Sequence, residues 1–330
     1  MQPNKRYPRI FIRSKNELAK HLASKKAGQV ETLNLINDVI LNYDKYWKDS
    51  KHSQPLKGKY VRNARGTPLG VLLNKINKLV LAPHDKMLPD FIFGGVAGRN
   101  HKKAGEHLLG AKRRRVLLKM DVRSFFEGIG GERIFYLFKN KFLCSPKASR
   151  LLANICSVPL GPKDNPSSRR SIGRGFATSS RLAVWSNLDI FIKLDWFVRK
   201  ALKGRDPKIS IYVDDIGITA SRVSKKEMER ISLAVSELLN SDHNQKLPLN
   251  PDKTKIISHE EGMEILGLRL NRNNLSIGPK TRKKLDKSKN VLKSKLSPND
   301  RAAARAKHGA LVRYKKSIEG ANTLQIKKLS

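Results

Sequence analysis

A chain of 330 residues with 39% hydrophobic residues is long and apolar enough for a globular core, which excludes a disordered polypeptide. It carries 68 Lys and Arg residues against 28 Asp and Glu residues, and this formal net charge of +40 predicts a nucleic-acid partner before an anionic membrane. The two cysteines, Cys144 and Cys156, exclude a disulfide framework and a zinc cluster. The sequence shows neither a bilayer-spanning apolar run nor a secretory signal, so we expect a cytoplasmic protein without a membrane partner.

The first part of the chain alternates between helical and turn-rich patterns. Apolar residues at helical spacing predict helix within residues 15–47 and again over 71–91, where Pro83 is expected to end it. A basic, turn-rich stretch over 48–70 separates them. Residues 113–126 contain a short apolar run of strand type, followed by an acidic residue and an aromatic pair.

The rest of the chain mixes strand and helix patterns. Residues 209–220 alternate apolar and polar side chains with a period of two, and residues 253–271 predict a hairpin. The tail from Pro279 is mostly helical, with 16 Lys and Arg residues against three acidic ones. Strands between basic helical flanks predict an α+β fold. Further helices are predicted over 130–140, 145–158 (with Ser145 as N-cap), 181–204 and 224–240, and a Gly- and Ser-rich loop over 163–180.

Acidic residues interrupt two of the strand patterns, where carboxylates are uncommon. Asp121 follows the apolar run of residues 116–120, and Asp214 and Asp215 follow the alternating strand. Taken singly, each position fits an ordinary turn or helix cap, because Asp tolerates the dihedral angles of tight turns. If the two strands are neighbours in a sheet, three carboxylates converge.

Converged carboxylates repel one another unless a cation neutralises them. Hard divalent ions prefer oxygen ligands, and Mg²⁺ keeps waters that substrate phosphates replace. Two such ions activate an attacking oxygen and stabilise a leaving one in phosphoryl transfer. Acids embedded in a strongly basic chain therefore predict two Mg²⁺ ions, with Mn²⁺ as an alternative, acting on nucleic acid.

The order of the motifs resembles that of reverse transcriptases. "YVDD" at 212–215 resembles their YxDD box, and "LLKMDVRSFF" at 117–126 resembles the metal-binding strand that precedes it. "GRGFATSS" at 173–180 stands where the family has a Gln-Gly-x-Pro-x-Ser loop, with Arg174 in place of Gln and Ala177 in place of Pro. Two later segments resemble the family's Leu-x-x-Asn-x-x-Lys-Thr segment and its primer-gripping hairpin, namely "LPLNPDKTKII" at 247–257 and "EILGLRLN" at 264–271.

Within the family, the bacterial retron type is most similar. "GGVAGRNHKKAGEH" at 94–107 resembles the retron pattern Gly-Phe-x-x-Gly-Arg-Ser followed by Asn-Ala-x-x-His, with Lys103 in place of the Asn. The resemblance implies an α+β right-hand polymerase: N-terminal helices and fingers over 1–115, a palm of antiparallel sheet and helices with an interleaved fingers segment over 116–262, and a primer-grip hairpin and basic helical thumb over 263–330. Other defence-associated bacterial reverse transcriptases share this outline.

The resemblance also implies roles for individual residues. Asp121, Asp214 and Asp215 would be catalytic and hold the two ions, with help from the carbonyl of Val122. Phe126 resembles the steric gate, whose ring excludes a 2′-hydroxyl, whereas taken alone it fits a core position.

The loop residues Arg174, Thr178 and Ser179 would contact template or nucleotide, and Gly175 would let the backbone approach the nascent base pair. Lys253 would bind phosphate or protonate the leaving pyrophosphate, with a solvated lysine as the alternative.

The remaining candidates bind phosphates or nucleic acid by charge. Lys59, Arg62 and Arg65 are candidates for the triphosphate. His107 fits either an RNA contact or a structural role, and the arginines at 113–115 fit either phosphate contacts or a solvated turn. The expected nucleic-acid contacts are Tyr212, His107, Arg113, Arg114, Lys283 and Lys284.

The resemblance therefore implies an RNA-directed DNA polymerase that copies a dedicated non-coding RNA, using dNTPs, into an RNA–DNA product that starts from a 3′-hydroxyl or, as in retrons, from a 2′-hydroxyl. The retron resemblance implies anti-phage defence with a separate effector protein. Because no residues remain after the expected thumb, RNA removal or DNA cutting is expected to come from partners. Two alternatives stay open: a defence-associated or group II intron-like reverse transcriptase with another RNA or little template use, and a catalytically idle RNA-binding scaffold.

Overall fold

The computed structural model describes residues 6–23, 28–110, 114–242, 246–294 and 297–320. The chain forms two compact units, each built from separate stretches of sequence. Unit 1 comprises residues 1–98, 123–192 and 242–247. Unit 2 comprises residues 99–122, 193–241 and 248–330. The predicted mixture of helices and antiparallel sheet is confirmed, while the three-part division at residues 115 and 262 stays a prediction.

Eleven α-helices lie within the described residues, and none of them is long and apolar enough to cross a membrane. They are α1 (Lys15–Leu22), α2 (Gln29–Asn42), α3 (Pro68–Lys75), α4 (His101–Leu109), α5 (Gly131–Tyr136), α6 (Pro146–Cys156), α7 (Ser179–Ser186), α8 (Leu188–Ala201), α9 (Lys225–Asn240), α10 (Pro279–Lys293) and α11 (Pro298–Glu319).

The strands are short, apart from those of the main sheet. They are β1 (Lys48–Asp49), β2 (Arg62–Asn63), β3 (Arg115–Asp121), β4 (Ser157–Pro159), β5 (Arg170–Ile172), β6 (Lys208–Tyr212), β7 (Asp215–Ser221), β8 (Lys255–Ser258), β9 (Glu264–Ile265), β10 (Leu268–Leu270) and β11 (Leu275–Ile277).

Side-chain caps fix where several helices begin. The predicted N-cap Ser145 is confirmed, because its Oγ accepts a hydrogen bond from the Ala148 N–H at 3.2 Å. The predicted end of helix near Pro83 is confirmed for the α- and π-helical part, which ends at Leu81, but the chain stays helical beyond it. After α3 the chain continues as π-helix over Ile76–Leu81 and then as 3₁₀-helix over Ala82–Met87. Pro83 lies in the first turn of that 3₁₀ segment, where its missing N–H costs no hydrogen bond.

Unit 1 packs around aromatic side chains. The Trp185 ring lies 6.0 Å from the Tyr7 ring and 5.7 Å from that of Phe142, which in turn meets Phe138. Two short antiparallel pairs, β1–β2 and β4–β5, complete this unit. The segment over 163–180, predicted as loop, therefore contains strand β5.

Unit 2 is built on a four-stranded antiparallel sheet with the order β6-β7-β3-β8. A second antiparallel sheet has the order β11-β10-β9. The predicted hairpin over 253–271 is confirmed for its second part, where β9 pairs with β10, whereas β8 in its first part pairs with β3. The apolar side chains of β8 extend the sheet beside the buried strand β3, which periodicity along the chain does not reveal.

The core of unit 2 joins both sheets to helix α4. Leu108 of α4 and Leu117 of β3 pack with apolar residues of β9, β10 and β11. Gly217 in β7 allows this close approach, since a Cβ there would lie 2.5 Å from Cδ1 of Ile265. The main sheet is therefore held rigidly from one face.

Candidate active site

A two-residue turn joins β6 to β7. Tyr212 pairs with Asp215 across the hairpin, so Val213 and Asp214 form the turn, which confirms the predicted tight hairpin. Val213 has a φ of +59°, a left-handed conformation that a β-branched residue adopts at a cost of about 1–3 kcal/mol. The hairpin therefore contains local backbone strain next to the two acidic residues.

Strand β3 lies next to β7, as the convergence of the acids required. Asp121 is paired with Asp215 at the end of the ladder, and the Val122 N–H donates to the Asp214 carbonyl at 2.9 Å. The Asn250 N–H donates to the Asp121 carbonyl at 2.8 Å. Backbone hydrogen bonds thus hold the three aspartates at one end of the main sheet.

Charge and burial at this sheet end favour a bound cation. Burial raises the pKa of Asp215 to about 6, and the negative charges of Asp214 and Asp121 add to the effect. Asp121 is buried, and its Oδ1 accepts a hydrogen bond from Nζ of Lys253 at 2.8 Å. This bond, followed by the attraction of the carboxylates, raises the pKa of Lys253. The lysine therefore serves as the protein's own counter-ion.

The oxygen donors at this end suit a hard divalent cation. They are the carboxylates of Asp121, Asp214 and Asp215 and the carbonyl of Val122, which are ligand types that Mg²⁺ prefers. As arranged, the described residues contain no group of three His, Cys, Asp or Glu side chains that would hold a metal ion. Lys253 contacts Oδ1 of Asp121, so its ammonium group and a bound ion would compete for the same carboxylate.

The other expected contacts in unit 2 lie in different environments. Tyr212 and His107 are half-buried, and Arg114 is exposed just before β3. Arg113 lies outside the described residues. Arg115 is buried, and its guanidinium donates to Asp206 Oδ2 at 2.7 Å, so it is neither a phosphate contact nor a solvated turn residue in this structure.

Lys283 and Lys284 lie on helix α10, and both are exposed. Their ammonium groups are therefore accessible to a large ligand. Within the described residues α10 buries only Ser288.

The triphosphate candidates lie in unit 1. Lys59 is half-buried, and Arg65 is exposed on the wall of an open cavity of about 860 Å³. Arg62 is buried, pairs with Asp49 and donates to the Pro159 carbonyl at 2.9 Å. Its guanidinium therefore holds unit 1 together, which disfavours Arg62 as a triphosphate ligand.

The Gly-containing loop also belongs to unit 1. Gly175 has a φ of +99°, and a Cβ there would lie 2.5 Å from the Arg62 carbonyl oxygen, so this position requires glycine. Ser179 is buried and donates to the Gly173 carbonyl at 2.7 Å, and Thr178 is buried as well. These two hydroxyls therefore face the protein and not a ligand in this structure.

Phe126 and Arg174 lie together in unit 1. Phe126 is 8% exposed, and the guanidinium carbon of Arg174 lies 4.9 Å from the centre of its ring. Arg174 also forms an ion pair with Glu127, a residue that the sequence analysis did not select. A glutamate after an aromatic pair matches no sequence motif. Only its ion pair with Arg174 in the folded chain draws attention to it.

Comparison with known proteins identifies the family of this chain. The model of the family described as reverse transcriptase (RNA-dependent DNA polymerase) matches residues 67–270. The chain is 24% identical over 228 residues to the Retron Se72 reverse transcriptase of Salmonella heidelberg (strain 579083-10), an alignment that covers 67% of this chain and 52% of that protein. The chain thus spans about half the length of this curated relative.

The sequence-based recognition is confirmed by the family match, and the similarity to a retron enzyme agrees with the retron type. The matched range contains the strands β3, β6 and β7 with all three aspartates and the loop around Gly175. Since the match extends over more than half of the chain, this protein belongs to the reverse transcriptase family.

Proposed function

We propose that this chain is an RNA-directed DNA polymerase that copies a dedicated non-coding RNA by two-metal nucleotidyl transfer. The observation that carries the proposal is the pairing of Asp121 with Asp215 at the end of the buried strands β3 and β7, beside the turn that holds Asp214. Family membership supports the reaction type. The retron relative supports the kind of RNA and a bacterial setting, and we infer a role in the cytoplasm.

The aspartates supply oxygen ligands that rigid strands hold in place. Two Mg²⁺ ions, when bound, would activate the attacking hydroxyl and stabilise the leaving pyrophosphate. Asp121, Asp214 and Asp215 would hold them, with the Val122 carbonyl. Because backbone hydrogen bonds fix these residues, little reorganisation would be needed when the nucleotide binds.

Lys253 has two positions open to it in this proposal. Without nucleotide its ammonium group neutralises Asp121, and its half-exposed side chain is long enough to turn away. Released from Asp121, it would bind a phosphate oxygen or protonate the leaving pyrophosphate. The Lys253 ammonium group would thus stay at the site both without nucleotide and with nucleotide bound.

The nucleic acid would be held by charge. Lys283 and Lys284 on α10 would contact the backbone of the RNA–DNA product, with Arg114, Tyr212 and His107 as further contacts. An A-form or hybrid duplex is recognised mainly by shape and backbone, which suits lysine and arginine. Lys59 and Arg65 remain the candidates for the triphosphate.

The retron relative supports a wider biological proposal. The chain would act in anti-phage defence, together with a separate effector protein. Sequencing of the nucleic acid that co-purifies with the chain tests the retron type, on which this role depends. One structured RNA joined or paired to complementary DNA is the expected result, whereas a mixture of unrelated cellular RNAs would point to another kind of reverse transcriptase.

The polymerase itself is tested by dNTP incorporation with the purified chain and its co-purified RNA. The double variant Asp214→Asn, Asp215→Asn keeps the shape of both side chains but removes their charge. Incorporation is expected to fall on the order of a thousandfold or more, because the ions lose their ligands. Thermal stability should not fall, since two repelling carboxylates are neutralised.

The matched control is the double variant Glu229→Gln, Glu237→Gln, which changes two exposed carboxylates on α9 of the same unit. It should leave incorporation within about twofold, as expected for a surface change away from special features. Equal incorporation by the double variant Asp214→Asn, Asp215→Asn would contradict the proposal. If the unaltered chain binds RNA and incorporates nothing, the chain is a scaffold.

A further inference from the structure

Glu127 and Arg174 form a two-pronged ion pair in unit 1. Nε of Arg174 donates to Oε1 of Glu127 at 3.0 Å, and Nη2 donates to Oε2 at 3.1 Å. The two side chains are only 22% and 20% exposed, so water screens the pair less than a surface pair. This fork geometry fixes the plane of the guanidinium group as well as its position.

The guanidinium group covers the ring of Phe126. Its central carbon lies 4.9 Å from the ring centre, within the range of a cation–π contact. The Phe125 ring meets Phe126 edge-on at 5.6 Å. Two neighbours therefore restrict the Phe126 ring, and one of them is itself held by Glu127.

The backbone of Arg174 is fixed independently of its side chain. Its carbonyl accepts a hydrogen bond from the Arg62 N–H at 2.6 Å, and the close approach of Gly175 to the Arg62 carbonyl keeps the loop on β2. On the other side, the Ile129 N–H donates to the Phe126 carbonyl at 3.1 Å. The pair thus connects two anchored segments, and the ring lies where they meet.

Arg174 replaces the glutamine of the family's loop. A free guanidinium group at this position would attract phosphate, but here Glu127 balances its charge and orients it over the ring. We propose that Glu127 and Arg174 are positioning residues that hold Phe126 for the selection of deoxyribose over ribose. This inference rests on the proposed function and on the resemblance of Phe126 to the steric gate.

The physical reason is the small size of the group to be excluded. A single 2′-hydroxyl oxygen distinguishes the two sugars. A small shift of the Phe126 ring is therefore enough to make room for that hydroxyl. Loosening the ring should therefore weaken the rejection of ribonucleotides, while the deoxyribonucleotide, which leaves that space empty, reacts as before.

The variant Glu127→Gln tests this in the full chain with its RNA. The measurement is kcat and KM for one dNTP and for the matching ribonucleotide. We expect the ratio of the two kcat/KM values to fall on the order of tenfold, mainly through a lower KM for the ribonucleotide. The kcat for the dNTP should stay within about twofold, a split that general damage to the fold would not produce.

Unit 1 offers a matched control in Glu132→Gln. Glu132 pairs with Arg150, whose guanidinium carbon lies 4.1 Å from the Phe135 ring centre, so the same three chemical groups occur away from Phe126. This variant should leave sugar selectivity unchanged. If it lowers selectivity as much as Glu127→Gln does, the inference is overturned.

A second variant keeps the inference testable if Glu127→Gln does not fold. Arg174→Lys keeps the positive charge but loses the fork, and it should also lower selectivity, by less than Glu127→Gln. Unchanged selectivity in both variants, with normal DNA synthesis by the unaltered chain, overturns the inference and leaves the proposed function standing. Absence of DNA synthesis by the unaltered chain overturns both.

Discussion

In unit 2, strand β3 buries six of its seven residues, whereas helix α10 buries only Ser288 and helix α11 only Ile318 among the described residues. Both regions are candidates for contact with the same substrate. The strand ends in Asp121, which pairs with Asp215 of β7 on one side and accepts a backbone hydrogen bond from Asn250 on the other. The helices present lysines and arginines to solvent, with a Ser288–His308 contact at 2.9 Å between them.

This difference shows two ways of building a functional surface. A site that holds ions needs oxygen atoms at fixed distances, and burial of the strands provides that rigidity. A surface that holds a phosphate backbone needs only charge density, because long side chains adjust to the partner. We therefore expect a single substitution to have a large effect in the main sheet and a small effect on helices α10 and α11.

The largest effect on stability is expected where the sheet buries a charge. Arg115 lies at the start of β3, and its charge is balanced by Asp206. Asp206→Asn keeps the side-chain shape and leaves the buried guanidinium group unpaired, so the free energy of unfolding should fall by about 3 kcal/mol. Urea unfolding followed by circular dichroism measures it. Asp195→Asn, which breaks the more exposed pair with Arg199 on α8, should cost less than about 0.5 kcal/mol.

On the helices, charge reversal should weaken binding without unfolding. The double variant Lys283→Glu, Lys284→Glu should lower affinity for an RNA–DNA duplex about tenfold at moderate salt and reduce the salt dependence by about two phosphate contacts. Both positions are exposed and away from the buried residue of α10, so the fold should persist. The same charge reversal at Lys225 and Lys226 of α9 is the control. An equal loss of duplex affinity in that variant would show that the net charge of the chain, and not the position of the lysines, determines binding.

The smallest effect is expected at the strained turn. Val213→Gly removes the left-handed strain of a β-branched residue, and after the entropic cost of glycine the free energy of unfolding should rise by about 1 kcal/mol. Incorporation should nevertheless fall severalfold, because Asp214 gains freedom. Arg222→Gly relieves a similar φ of +54° just after β7 and should leave incorporation unchanged. A stabilised Val213→Gly with full activity would show that the strain has no role in the site.

Sequence patterns identified the features that depend on neighbours along the chain. Ser145 was predicted as a helix cap, and the acids at Asp214 and Asp215 were predicted in a tight hairpin, because caps and turns need only a few adjacent residues. Patterns along the chain failed for β8, whose partner β3 is far away in sequence. They also missed Glu127, whose ion-pair partner lies in a loop 47 residues further along.

The sequence by itself determined the family, the strong positive charge and the three acidic residues that mark the site. Only the tertiary structure decided which charged groups remain available to a ligand. Arg62 and Arg115 are basic residues like Arg65 and Arg114 in sequence, yet the former two are buried against carboxylates and the latter two are exposed. The reason is that burial of a charge depends on a partner contributed from elsewhere in the fold, and composition carries no record of that partner.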